Sequence, residues 1–224
     1  MRSDAPTRAA NTDEFESKSG MREGQRGRGD RRRPTRAPAA GEHPQARRAS
    51  MRIAIIAVPR FAPDDLEWID RIRSRYDPQR NVVAPHFTLV FPCKGAPVDA
   101  VLERAAHVAS QTEPVGFVLR SALAVKDTFT AASHVFLVPD EGSSAVVALH
   151  SSLNSGQLAP IARPDIIFTP HVTVAALEEF EEAAAVAHDL NARGVAIAGT
   201  IFAIDVLALD DKAVREISRI ELGR

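Results

Sequence analysis

The chain has 224 residues and a formal net charge of −1, with 28 Lys and Arg against 29 Asp and Glu. That average conceals a split, because residues 1–50 carry 12 basic and seven acidic side chains, net +5, whereas residues 51–224 carry 16 basic and 22 acidic, net −6. An acidic domain is poorly suited to gripping a long polyanion, and the single cysteine, Cys93, excludes an internal disulfide and a cysteine-rich metal site.

Residues 1–50 contain no Val, Ile, Leu, Trp or Tyr, so they have little apolar surface with which to offset the entropy cost of ordering. They are predicted to be a disordered Arg-rich tail. The Arg31-Arg32-Arg33 run is followed by Pro34-Thr35-Arg36 and not by the apolar stretch of an export signal. The tail is either a basic arm that could tether RNA, or sequence upstream of a true start at Met51, where the first strand begins. The remainder, 51–224, is long enough to bury one sizeable core. Its longest apolar run, 195–209, is interrupted by Gly199, Thr200 and Asp205 and is shorter than the ~20 residues of a membrane span. A cytoplasmic monomer is expected.

A β-branched run predicts a buried strand over 52–58. Pro63-Asp64-Asp65 opens a helix, with Asp64 as N-cap, Glu67 three positions on, and Leu66, Ile69, Ile72 and Tyr76 as its apolar stripe, stopped by Asp77-Pro78. A strand over 86–91 and a helix over 97–110 follow, the helix turning Val98, Val101, Leu102 and Ala105 inward. Strands are expected over 116–125 and 134–138, and a helix over 143–153 closed by Asn154-Ser155-Gly156. The last elements are a strand over 171–175, a Glu- and Ala-rich helix over 177–192, and strands over 195–209 and 214–222. Strands outnumber helices, the alternation is irregular and no glycine-rich dinucleotide turn occurs. The reading is α+β with antiparallel sheets.

One short duplication stands out. Pro85-His86-Phe87-Thr88-Leu89 is echoed by Pro170-His171-Val172-Thr173-Val174, the histidines 85 residues apart. The period of a strand puts His86 and Thr88 on one face and Phe87, Leu89 and Phe91 on the other, and the second copy repeats the pattern. Two related lobes would thus present two imidazoles and two hydroxyls across a cleft. Imidazoles can hold opposite protonation states near neutral pH, one accepting a proton while the other donates one. In-line displacement at phosphorus needs those two transfers, with the threonine hydroxyls bonding the non-bridging oxygens. No cofactor and no metal is called for, since two histidines without a nearby third ligand make an incomplete zinc site. The other histidines, among them His107, His134, His150 and His188, read as ordinary strand or helix residues.

RSRYDPQRNVVAPHFTLVFP, residues 73–92, resembles the helix end, loop and first motif of the 2′-5′ RNA ligase-like branch of the two-histidine phosphoesterase superfamily. FTPHVTVA, residues 168–175, resembles the second motif, and AIDVLALDD with ISRIEL resembles the last two strands. The resemblance implies a bilobal α+β fold with pseudo-two-fold symmetry, two antiparallel sheets facing a central cleft and helices outside. It also implies hydrolysis or transfer at a 2′,3′-cyclic or 2′-5′ phosphodiester of a nucleotide or RNA end, with His86, His171, Thr88 and Thr173 in the catalytic positions. Members acting on RNA ends often carry a basic residue just after the second motif, where this chain has Ala175-Ala176-Leu177. Lys94 and Arg163 are then the nearest candidate substrate cations. The competing expectation is a nucleotide- or RNA-binding regulatory module that keeps the cleft but turns over little.

Overall fold

A computed structural model describes residues 51–127, 131–210 and 213–223, and the Arg-rich segment 1–50 lies outside them. All strand pairings are antiparallel and form two sheets. The four-stranded sheet has the order β3-β1-β8-β9, built from β3 (Phe87–Lys94), β1 (Arg52–Ala57), β8 (Ala203–Leu209) and β9 (Val214–Glu221). The five-stranded sheet has the order β2-β7-β4-β5-β6, from β2 (Arg60–Phe61), β7 (Ile197–Ile201), β4 (Val115–Lys126), β5 (Ser133–Glu141) and β6 (Val172–Leu177). The strands that carry the duplicated motif, β3 and β6, are therefore each the edge of a sheet.

Among the described residues four α-helices cover these sheets. The first, α1 (Pro63–Tyr76), starts ahead of the expected Asp64 cap: Ala62 is the N-cap, with no side-chain bond, and Pro63 sits in the first turn, where its missing N–H is not needed. Asp64 and Asp65 instead lie in that turn, where carboxylates favour the helix dipole. Leu66, expected in the buried stripe, is exposed, and the buried residues of α1 are Ile69 and Arg73. Although α1 precedes β3 in the chain, it packs on β6, so the helix leading into the first motif supports the strand of the second. The helices α2 (Val98–Ser110) and α3 (Ser143–Leu153) pack on each other, α2 on β8 and β9 and α3 on β3. The last, α4 (Phe180–Ala192), covers β4 and β5. No helix among the described residues is long and apolar enough to cross a membrane.

Two further differences from the sequence reading have local causes. The apolar run 195–209 is not one strand: Phe202 separates β7 from β8, and the two halves join different sheets. The fifth strand runs on through Pro139, which pairs with Leu119 next to a register shift, a position where a ladder tolerates proline. Gly142 ends that strand with φ 77°, and a Cβ there would lie 2.2 Å from the Gly116 carbonyl oxygen, so no larger residue fits. The sheets share one core. Phe117 of β4 meets Phe87 of β3 edge-on with centroids 5.0 Å apart, and Phe61 of β2 in the same way at 5.9 Å. Burial of Phe87 and Phe117 contributes about 1.5–3 kcal/mol each.

Candidate active site

Both copies of the motif are built alike. Pro85 and Pro170 are buried, the following histidine and threonine are partly exposed, and the residues between and after them are buried, the alternation expected of a strand with one face on the core. Each imidazole is held by its own backbone two residues upstream. His86 Nδ1 donates to the Ala84 carbonyl at 2.8 Å, and His171 Nδ1 donates to the Thr169 carbonyl at 2.6 Å. A carbonyl oxygen only accepts, so in the neutral rings the proton sits on Nδ1 and Nε2 keeps its lone pair.

The likeness extends to a defect in each strand. Between Ile56↔Thr88 and Ile55↔Val90, β3 has one residue more than β1, and between Phe136↔Thr173 and Val135↔Ala175, β6 has one more than β5. The extra residues, Leu89 and Val174, each stand directly after the motif threonine. A bulge turns later side chains to the opposite face, and Leu89 and Val90 are accordingly buried in succession, as are Val174 and Ala175. This corrects the expectation for Phe91. It does not share the core face with Phe87 and Leu89 but lines a cavity beside the second motif.

Burial holds both histidines below the ordinary imidazole pKa. For His86 it is the largest cause, the Ala84 bond works against it, and the neighbouring charges of Arg73 and Asp77 act in opposite directions. For His171 burial again leads and takes the value down to about 4; the Thr169 bond raises it, and the like charges of His86 and His134 lower it further. The charge of the first motif imidazole thus acts on the second. The Phe136 ring stacks on His171 with centroids 3.6 Å apart and an interplanar angle of 17°, and His134 lies parallel to Phe136 at 5.9 Å.

The approach to the first motif is pinned from α1. Arg73 is only 2% exposed; its Nε donates to Asp77 Oδ2 and its NH2 to the Val83 carbonyl, both at 2.8 Å. Asp77 Oδ1 accepts the Gln79 N–H at 2.8 Å. A second tie joins the arms of the two motifs. His150 of α3 donates Nδ1–H to the Leu89 carbonyl at 2.8 Å and stacks on Phe168 at 3.6 Å, three residues before His171. Asn154 donates to the same Leu89 carbonyl at 2.8 Å.

A cavity of about 510 Å³ opens beside the second motif. Its floor is the cleft face of β4, β5 and β6: Leu123, Val125, His134, Phe136, His171 and Thr173. Phe91, Ile166 and Ile167 wall it, and Lys126, Asp127 and Thr169 complete the lining. His86 and Thr88 lie outside this lining, as do both candidate cations. Lys94 is exposed at the end of β3, and Arg163 pairs with Asp165 at 2.6 Å on the surface. The cation in the lining is Lys126, which the sequence reading passed over, as it passed over His134 and His150. Their signal was weak: each is a single polar residue among others of its strand or helix, and only the tertiary packing shows what it meets. Among the described residues no group of three His, Cys, Asp or Glu is placed to hold a metal ion.

Two antiparallel sheets, each ending in an edge strand that is entered through a Pro-His-x-Thr unit and bulges directly after the threonine, define a two-histidine phosphoesterase fold. The chain belongs to the 2′-5′ RNA ligase superfamily, whose sequence profile matches residues 61–213. It is similar to a protein of Geobacillus kaustophilus named as a phosphoesterase, 24% identical over 117 residues, which are 51% of this chain and 64% of that one. A Bacillus licheniformis protein of like name is 26% identical over 127 residues, 56% of this chain and 70% of its own. The chain thus spans somewhat under two thirds of the first of these relatives. Among solved structures, Escherichia coli LigT complexed with 3′-AMP superposes with a TM-score of 0.50 at 14% identity, covering 78% of this chain and 99% of LigT. Kluyveromyces marxianus Usb1 gives 0.50 at 8% identity, with the same coverage. These two likenesses are of fold.

Proposed function

We propose that the protein is a cyclic phosphodiesterase that opens a 2′,3′-cyclic phosphate on a nucleotide or short RNA end, with His86 and His171 as its proton-transfer pair. The observation that carries this reading is the matched pair of imidazoles, each with Nδ1–H fixed on its own backbone carbonyl and Nε2 left to exchange a proton. One neutral imidazole takes the proton of an attacking water. The other, protonated, gives its proton to the departing ribose oxygen, so the ring ester breaks as the new P–O bond forms. Thr88 and Thr173 donate hydrogen bonds to the non-bridging oxygens, whose charge grows in the transition state. These steps require no metal. With the 5′-hydroxyl of a second RNA end in place of water, the same groups would break the P–O3′ bond of the ring as the new P–O5′ bond forms, leaving the 2′-5′ linkage for which the superfamily is named.

The phosphate itself restores the missing proton. Burial keeps both rings neutral in the free protein near neutral pH, with the His86 charge adding to the effect at His171, and a bound phosphodiester anion favours the charged form of one. The similarity to LigT, whose structure was solved with 3′-AMP, supports a nucleotide as the substrate. The test is turnover of 2′,3′-cyclic nucleotides by wild type, His86→Ala and His171→Ala. Each substitution should lower kcat by about 10²–10⁴, and full activity in either variant would remove the paired mechanism.

A further inference from the structure

The repeat is symmetric, but its surroundings are not. Beside the first motif stands the closed Arg73–Asp77 pair, whereas the second motif opens into the 510 Å³ cavity. We propose that this cavity is a base-recognition subsite that favours nucleobases bearing an exocyclic amino group. The inference rests on the phosphodiesterase reading and says which nucleotides that site takes.

The cavity is of the size that holds a small ligand, and it is continuous with the reacting groups, because His171 and Thr173 form part of its floor. A phosphodiester held by those residues would leave its nucleoside within reach. The floor is flat and largely apolar, since Leu123, Phe136 and Thr173 occupy one cross-strand row of β4, β5 and β6. Phe91 and the loop residues Ile166 and Ile167 face this floor from outside the sheet. Ile167 is 92% exposed and Leu123 44%, an arrangement that costs stability in an empty site and suits a planar ring that would cover both. A nucleobase is such a ring; Phe136 is already stacked on His171, so Phe91 of the wall is the aromatic side chain that would meet it, and stacking on aromatic side chains is worth about 1–3 kcal/mol per base.

The hairpin end of β4 and β5 supplies the polar edge. Asp127 Oδ2 and His134 Nε2 are 3.6 Å apart and both line the cavity. A carboxylate only accepts hydrogen bonds, so it pairs with the amino group of adenine or cytosine and repels the carbonyl oxygen at the corresponding place on uracil. Among the described residues Lys126 is the one Lys or Arg in the lining.

The experiment compares kcat/KM for the 2′,3′-cyclic phosphates of adenosine, cytidine and uridine with those of glycerol and a simple alkyl diol, in wild type and Asp127→Asn. The expected result is a preference of about tenfold or more for the amino bases over uridine, with the compounds lacking a base poorer still. Asp127→Asn should bring the adenosine-to-uridine ratio towards one, because the amide can donate as well as accept. Equal rates for uridine and the amino bases would overturn the inference while leaving the phosphodiesterase reading intact, and so would alkyl cyclic phosphates turned over as well as nucleotides. If no cyclic phosphate is hydrolysed, the reading of function fails, and calorimetric binding of 3′-AMP, 3′-CMP and 3′-UMP decides the subsite alone. Tighter binding of the amino bases supports it, and equal or absent binding overturns it.

Discussion

Replacing Arg73 separates the geometry of the first motif from its electrostatics. The guanidinium makes two charge-assisted hydrogen bonds, to Asp77 Oδ2 and the Val83 carbonyl, and the side chains of the pair are 3% and 5% exposed. The intervening loop closes on itself as well, with the Val83 N–H bonded to the Gln79 carbonyl at 3.2 Å. Arg73 thus fixes both ends of the segment that delivers the Ala84 carbonyl, on which the His86 ring hangs at 2.8 Å. Arg73→Ala would leave the Asp77 carboxylate buried and unpaired, a loss of about 3–5 kcal/mol, large against a total stability of about 5–15 kcal/mol. Arg73→Lys is the sharper probe. It keeps the charge, but an ammonium cannot reproduce the planar fork that spans both acceptors, and forfeiting one of these bonds costs about 1.5–3 kcal/mol.

A folded Arg73→Lys protein should therefore show a loosened loop and a mis-aimed His86. A displacement on the order of 1 Å lowers kcat by about 10², with little change in KM, because Arg73 touches no substrate in this reading. The pH profile adds a readout that a merely structural role would not move. The Arg73 charge lowers the His86 pKa and the Asp77 charge raises it, so Arg73→Ala shifts the His86 limb of the kcat/KM profile upward, whereas Arg73→Lys leaves it in place. The assay is steady-state kinetics on a 2′,3′-cyclic nucleotide from pH 4 to 9, with urea denaturation to confirm folding. A folded Arg73→Lys variant within about threefold of wild-type kcat would refute the positioning role, and a downward shift in Arg73→Ala would refute the electrostatic one.

The free protein should lose stability on acidification. The folded-state pKa of His171, about 4, lies below the unfolded value near 6.5, so its contribution is intact above about pH 6.5 and is lost as pH falls towards 4, by on the order of 3 kcal/mol. Urea midpoints at pH 7.5 and 4.5 should show this fall, and His171→Gln should reduce it. An unchanged slope in that variant would exclude His171 as the source. His150→Ala removes both the bond to Leu89 and the stack on Phe168, and it should lower kcat by about tenfold or more while destabilising by about 1–3 kcal/mol; unaltered kcat would deny the tie between the two arms. Arg163→Ala breaks an exposed pair with Asp165 outside the cavity lining, and kcat/KM should stay within twofold of wild type.

The pattern of residues carried far in this chain where periodicity and turn chemistry agreed. The helix over 143–153 and the antiparallel character of the sheets follow from it, and so does the pairing of two Pro-His-x-Thr units on strands. What it missed depends on register. Nothing local marks Leu89 and Val174 as bulged residues, because the extra residue exists only relative to β1 and β5. With the bulge unseen, Phe91 falls on the wrong face. Nor could the split of 195–209 at Phe202 be read, since both halves are apolar and only the sheets they join distinguish them. His150 passed as ordinary for the same reason, because Leu89 and Phe168 meet it from distant parts of the chain, and His134 reads as one more strand residue until the hairpin register sets it against Asp127.

Symmetry and its breaking have separate uses in this fold. Proton transfer at phosphorus needs two equivalent groups on opposite sides of one atom, and duplication of a strand with its backbone-held imidazole and its bulge supplies them from a single local design. A nucleotide, however, is not symmetric about its phosphodiester, with a compact anion on one side and a broad, weakly polar ring on the other. A site symmetric throughout would accept it in two orientations, and only one would place the departing ribose oxygen against the protonated imidazole. The closed Arg73–Asp77 pair beside His86 and the open apolar cavity beside His171 remove that ambiguity on the proposed reading. Divergence in the surroundings, and not in the motif, is then what fixes the direction in which the substrate lies.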